Sequence, residues 1–153
     1  MISNVKGEFK NFTAEIDNED FRNGTVKLNV DTSSIFTNNN DRDNHLKGVD
    51  FFDVESYPDM TFKSTSFKKV DDNEFKLKGL LTIKGISNEV VLDVEFGGAN
   101  KDPWGNEKAG FSYSGKINRK DWGLTWNAAL ETGGVLVSDD VKINGEVQFV
   151  RQN

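Results

Sequence analysis

Residues 74–96 form two consecutive runs in which apolar and polar side chains alternate. In the first, Phe75, Leu77, Gly79, Leu81 and Ile83 share one face while Lys76, Lys78 and Lys84 fall on the other. In the second, Val90, Leu92, Val94 and Phe96 alternate with Glu89, Asp93 and Glu95. A period of two is that of a β-strand with one wet face, and it cannot be laid on a helix. Residues 85–88 supply a turn, so the runs pair as an antiparallel hairpin.

The same pattern recurs along the chain. Residues 25–31 place Val26, Leu28 and Val30 on one side. Upstream, Val5, Gly7 and Phe9 fall on odd positions and Phe12, Ala14 and Ile16 on even ones, so one strand over 5–16 must change phase near Asn11, which a bulge accomplishes. Asn23-Gly24 is a strong hairpin signal and joins these two strands. Residues 60–69 read as a strand bounded by Pro58, with a turn at 70–73. Residues 97–106 read as a loop that nevertheless contains Trp104. Then 108–118 turn Ala109, Phe111, Tyr113, Gly115 and Ile117 inward, and 141–150 do the same with Val141, Ile143, Gly145, Val147 and Phe149. Seven strands joined in order by short connections specify an all-β fold, an antiparallel barrel of about seven strands.

Two segments break the alternation. Residues 41–58 begin with a short helix, capped by Asn40 or Asp41 and stopped at Lys47-Gly48, and continue into Phe51-Phe52. Residues 119–140 carry Trp122, Trp126 and a piece, 127–130, with the composition of one helical turn. One or two short helices are therefore expected at the barrel mouth. Phe51 and Phe52, Trp122 and Trp126, together with Trp104 of the 97–106 loop, either cork the barrel ends or form the neck of a pocket.

The 153 residues suffice for one domain over 1–153. With 19 basic against 25 acidic residues the net charge is −6, which disfavours nucleic acid and anionic membrane surfaces. No cysteine is present, so disulfides and thiolate metal sites are excluded. The start of the chain lacks a signal-like apolar run and no stretch is long enough to span a bilayer, giving a cytoplasmic expectation with no stable membrane insertion.

Gly7, Gly79, Gly115 and Gly145 occupy inward positions, where they either let a small barrel bend or clear space for a ligand. The remaining inward residues are almost all apolar, so only an apolar ligand suits such a lumen. His45, the single histidine, stands among Asp43, Asp50 and Asp53 and is a candidate acid or base. A lone histidine in a capped turn is more often a local hydrogen-bonding residue. No nucleophile elbow, phosphate loop or calcium loop is found, so no catalytic residue, metal or cofactor is assigned.

Four stretches, VKGEFKNFTAEI, NNNDRDNHLKGVDFFDVESYPDMTFKS, GLLTIKGISNEVVLDVEF and DPWGNEKAGFSYSGKINRKDWGLTWN followed by ETGGVLVSDDVKINGEVQF, resemble the YceI-like family across essentially the whole chain. The resemblance implies a lipocalin-like, eight-stranded bacterial barrel that binds long isoprenoid or other lipid chains without catalysis, for sequestration or transport. A polyisoprenoid, an isoprenoid quinone or a fatty-acid-like lipid is the implied ligand. Alternation supplies the lumen lining: Phe9, Phe62, Phe75, Leu77, Gly79, Leu92, Phe111, Tyr113, Gly115 and Phe149. The mouth is expected from Arg42, His45, Leu46, Phe51, Phe52, Trp122 and Trp126. The alternative is an enzyme acting on an isoprenoid head group, with His45 as acid or base. Members of the family usually begin with a further strand that this sequence lacks. That absence leaves a periplasmic location open, and it predicts unpaired edges at the first and last strands, hence lower stability or a homodimer.

Overall fold

The computed structural model describes residues 5–18, 23–127 and 137–151. Its strands are β1 (Glu8–Phe9), β2 (Phe12–Ile16), β3 (Val26–Asp31), β4 (Ile35–Phe36), β5 (Asp59–Asp71), β6 (Glu74–Ile83), β7 (Ile86–Lys101), β8 (Glu107–Asn118) and β9 (Asp140–Val150). One α-helix, α1 (Asn40–Lys47), lies between β4 and β5, and 3₁₀ turns occupy Thr32–Ser34 and Arg119–Trp122. Seven strands form one antiparallel sheet in the order β2-β3-β5-β6-β7-β8-β9. The sheet curls until β2 and β9 come close, but no ladder joins them among the described residues. The barrel is thus nearly closed, with a seam between two strands that run parallel, because seven is odd.

The β6–β7 hairpin turns on two residues, Lys84 and Gly85, both at positive φ, between the paired Ile83 and Ile86. This is tighter than the turn over 85–88 read from sequence, because paired positive-φ residues match the twist of the flanking strands. β7 also runs well past the strand read from its alternation. A register shift between Phe96 and Gly98, with Gly98 at φ +120°, lets β7 continue to Lys101 opposite Glu107, so the loop shrinks to residues 102–106. A side chain at 98 would oppose that φ, and glycine does not.

The strand read over 5–16 is two strands in two sheets. β1 pairs with β4 as a separate ribbon, whereas β2 pairs with β3 in the barrel. The phase change is a break, held where Asp31 N donates to Asn11 O and Lys10 N to Ser34 O. Gly7 is exposed and belongs to no strand, so it clears no lumen.

β3, β5, β6 and β7 deliver the deepest core: Val30, Phe62, Phe75, Leu77, Leu81, Ile83, Val90, Leu92 and Val94 are buried. Phe62 and Phe67 both face inward because a register shift between Ser64 and Ser66 flips the alternation of β5. Burying such a side chain stabilises by about 1.5–3 kcal/mol. The inward residues of β9 are only half-buried, and Val141, read as inward, is exposed.

Candidate functional site

The register places β3's end, the start of β5, the β6–β7 turn, the end of β8 and the start of β9 at one end of the barrel, together with α1 and the 119–127 segment. At this helix end the side chains form a plug. Trp122 is 2 % exposed and donates its indole N–H to Leu81 O at 2.8 Å. Phe51 and Leu124 are also buried. Of the two readings of Trp122 and Phe51, a cork or the neck of a mouth, the structure has the cork, because a ring enclosed by strand ends gains more from burial than from water.

α1 sits over this plug. Asn39 caps it by accepting from Arg42 N at 3.0 Å, one residue earlier than read, and Asp41 and Asp43 occupy its first turn. Arg42, expected to face a ligand head group, is turned back onto Thr37, donating to its hydroxyl at 2.9 Å and its carbonyl at 2.8 Å. Buried Asp43 completes the knot by accepting from Thr37 N at 2.8 Å and from the Thr37 hydroxyl. Leu46 is half-buried, and its carbonyl accepts from Phe52 N. Phe52 packs edge-on to Phe9 of β1, 5.5 Å between centroids, so the β1–β4 ribbon rests on this segment.

His45, Phe51 and Trp126 do come together. The imidazole stands edge-on to Phe51 at 5.1 Å and to Trp126 at 4.6 Å, and its Nε2 meets Asp50 Oδ2 at 2.9 Å. Both partners of that pair are partly exposed. Trp126 is placed by a residue that the sequence reading passed over. Arg119 is buried and donates to the carbonyls of Trp126 (2.9 Å), Ser138 (2.8 Å), Leu124 and Val137, with Asp139 at 3.9 Å. Five N–H donors in a planar fork can satisfy several loop carbonyls at once, which no other side chain does. Its signal in the sequence was only an arginine at the start of an irregular segment. Of the helical turn read at 127–130, residues 128–130 lie outside the described residues.

The lumen behaves differently on its two sides. Along β5–β7 the inward residues are buried, whereas Tyr113, Ile117, Ile143, Val147 and Phe149 of β8 and β9 are half-buried, as are Phe67 and Phe96. Rings at the end away from α1 form a pair and a triplet: Phe67 stacks on Phe75 at 4.6 Å, and Phe111 tilts against Phe96 at 5.2 Å and meets Phe149 edge-on at 5.9 Å. Apolar surface accessible from solvent thus collects along the β8–β9 wall and at this far end. Burial pushes the Tyr113 hydroxyl's pKa up.

The inward glycines open no holes. A side chain at Gly79 would meet the Phe62 ring and Lys63 O at 2.5 Å, one at Gly115 would meet Leu92 at 2.6 Å, and one at Gly145 would meet Tyr113. Large neighbours lie over small residues, so the room that these glycines provide is already occupied. A concavity of about 780 Å³ is lined by Val70, Phe75, Val94, Tyr113 and Gly145 together with the charged and polar Glu74, Lys76, Asp93, Glu95, Ser112, Ser114, Asn144 and Glu146, so apolar and polar side chains share its wall. Among the described residues no group of His, Asp and Glu is placed to hold a metal, and no helix is long and apolar enough to cross a membrane.

The sequence pattern of the YceI-like domain matches residues 1–149. The chain belongs to the YceI-like family. A UPF0312 protein of Staphylococcus aureus is 42 % identical over 152 residues, covering 97 % of this chain and 86 % of that protein. A UPF0312 protein of Staphylococcus epidermidis is 42 % identical over 156 residues, covering 100 % of this chain and 88 % of that protein. Among solved structures, the Campylobacter jejuni YCEI protein superposes with a TM-score of 0.87 at 40 % identity, covering 100 % of this chain and 88 % of that one. Burkholderia cenocepacia BcnA shares the fold, with a TM-score of 0.78 at 24 % identity over 94 % of this chain and 86 % of its own. This YceI-like barrel is therefore a ligand-binding fold whose helix end is plugged and whose accessible apolar surface lies elsewhere.

Proposed function

We propose that this YceI-like protein binds a single-chain apolar lipid (a polyisoprenoid, an isoprenoid quinone or a fatty-acid-like chain) and sequesters or carries it without chemical change. The observation that carries the proposal is the half-buried apolar strip of Phe67, Phe96, Tyr113, Ile143, Val147 and Phe149, which faces the interior but is not filled in by it. An acyl or prenyl chain laid along that strip buries surface that the barrel leaves partly wet. The tail then enters from the far end or through the β2–β9 seam, not past Arg42 and Trp122. His45 is a packing and hydrogen-bonding residue of the plug, tied to Asp50 and two rings.

Native mass spectrometry of gently purified protein, followed by titration with a polyprenyl phosphate, a quinone and a fatty acid, tests this. One bound chain per barrel is expected, unchanged in mass. Protein that is empty and takes up none of the three overturns the proposal. Conversion of the offered lipid, abolished by His45→Ala, would establish the enzymatic alternative. A homodimer whose interface occludes the strip, without bound lipid, would assign that surface to a second copy.

A further inference from the structure

Trp104 neither corks an end nor lines a neck: it is 83 % exposed. It stands at the tip of the β7–β8 hairpin. β6 begins at Glu74 opposite Glu95, and Asn73 O accepts from Phe96 N, so residues 97–101 of β7 project past the rim by about 16 Å at strand rise. β8 and the end of β9 accompany it, with Lys108 opposite Val150. The tip is held in one shape. Asp102 Oδ1 accepts from Trp104 N and Asn106 N at 2.9 Å each, its Oδ2 accepts from Asn106 Nδ2 at 3.1 Å, and Gly105 turns the chain at φ +84°. The indole is thus presented to solvent on an ordered support, with its apolar face open to a partner.

Two further observations point to that partner. This is the end where Phe67, Phe96 and Phe149 are half-exposed, the opposite end from the Trp122 plug. The charges of the projecting hairpin also differ from those of the chain: Lys101, Lys108 and Arg151 stand against Asp102 and Glu107, one positive charge net, whereas the whole chain carries −6 and the β5–β6 turn at the rim behind it carries Asp71, Asp72 and Glu74. Asp102 pairs with Lys108 and Glu107 with Arg151. The tip is thus a place where the protein can approach lipid head groups without repulsion, and tryptophan is the side chain that settles at a membrane–water interface.

We infer that Trp104 docks the tip of the β7–β8 hairpin on the interfacial region of a phospholipid bilayer, which holds the barrel's far end toward the membrane from which an apolar chain is taken or to which it is returned. The inference rests on the lipid-binding reading above for its purpose, though not for its geometry. The test is flotation of the full chain with vesicles of phosphatidylcholine, alone or mixed with phosphatidylglycerol, comparing the wild type, Trp104→Phe and Trp104→Ser. The wild type floats, Trp104→Ser loses about tenfold or more in partitioning, and Trp104→Phe falls between. Brominated phosphatidylcholine quenches wild-type emission more than that of Trp104→Phe. Failure of the wild type to float, equal flotation of the serine variant, or absence of the quenching difference overturns the inference. So does a dimer that Trp104→Ser converts to monomer without vesicles, since the ring would then cover a second copy. Lipid uptake from detergent solution, measured on the same variants, should be unaffected by Trp104→Ser; wild-type protein that floats but takes up no lipid refutes the ligand reading and leaves the docking intact.

Discussion

Tyr113 lies across Gly145, its hydroxyl and ring edge occupying the place where a side chain at 145 would begin. The two are cross-strand partners on β8 and β9, next to the seam. Gly145→Ala therefore forces the ring off its position. A cost of about 1–3 kcal/mol is expected from urea denaturation. In a double-mutant cycle with Tyr113→Leu the two costs should fail to add, since the smaller side chain removes the collision. Strict additivity would show that the ring moves freely.

Gly79 and Gly115 should respond unequally. At Gly79 the obstacle includes a backbone oxygen, that of Lys63, which cannot move without disturbing the β5–β6 ladder. At Gly115 it is a methyl of Leu92, the end of a flexible side chain. Gly79→Ala is expected to cost roughly 2–3 kcal/mol and Gly115→Ala about 1 kcal/mol or less. Thermal melts that rank them in the reverse order would mean the strands adjust more easily than the side chains.

The strands were legible wherever one face is wet and the other apolar, because that alternation is imposed by the pleat itself. Phe75, Leu77, Leu92 and Phe111 were found this way, and all four are buried. The period failed where two influences competed. The chain around Asn11 serves two sheets, so its phase change marked a break, and Gly97-Gly98 looked like a loop although φ +120° at Gly98 carries β7 onward. At the helix end, pattern gave the cluster of His45, Phe51 and Trp126 but not its packing state. Arg119 could not be seen, since its partners are backbone carbonyls, which every sequence possesses alike.

Arg119→Met should unfasten the segment that carries Trp126. The methionine fills similar space but takes the guanidinium donors away from the carbonyls of Leu124, Trp126 and Ser138, while the Val137 carbonyl keeps its hydrogen bond from the Asn127 amide. An unsatisfied buried acceptor costs about 1–3 kcal/mol, so a loss of at least ~3 kcal/mol is expected, with little recovery in Arg119→Lys. Tryptophan emission should shift to the red as Trp126 loosens. A lysine variant as stable as the wild type would show that charge at this site matters and the fork does not.

Acid should release the hairpin tip before it unfolds the barrel. Hydrogen bonds from Asn106 N, and then from the Asn106 side chain, Lys108 and Trp104 N, hold the Asp102 carboxyl below its ordinary range against the opposing effect of burial. The hydrogen bond and charge of Arg151 do the same for Glu107, with Lys101 adding to them. A carboxyl lowered in the folded state stabilises fully above its unfolded pKa, about 3.9 for Asp and 4.3 for Glu, and that contribution fades as pH falls through the lower folded value. The tip should therefore stay latched at neutral and mildly acid pH and open only below pH ~4. Amide exchange at Trp104 and Asn106 should accelerate there while the β6–β7 ladder remains protected, and Asp102→Ala should produce the same acceleration at neutral pH. Loss of protection in the tip and the ladder at one common pH would show that the carboxyls act on the whole fold and not on the support of Trp104.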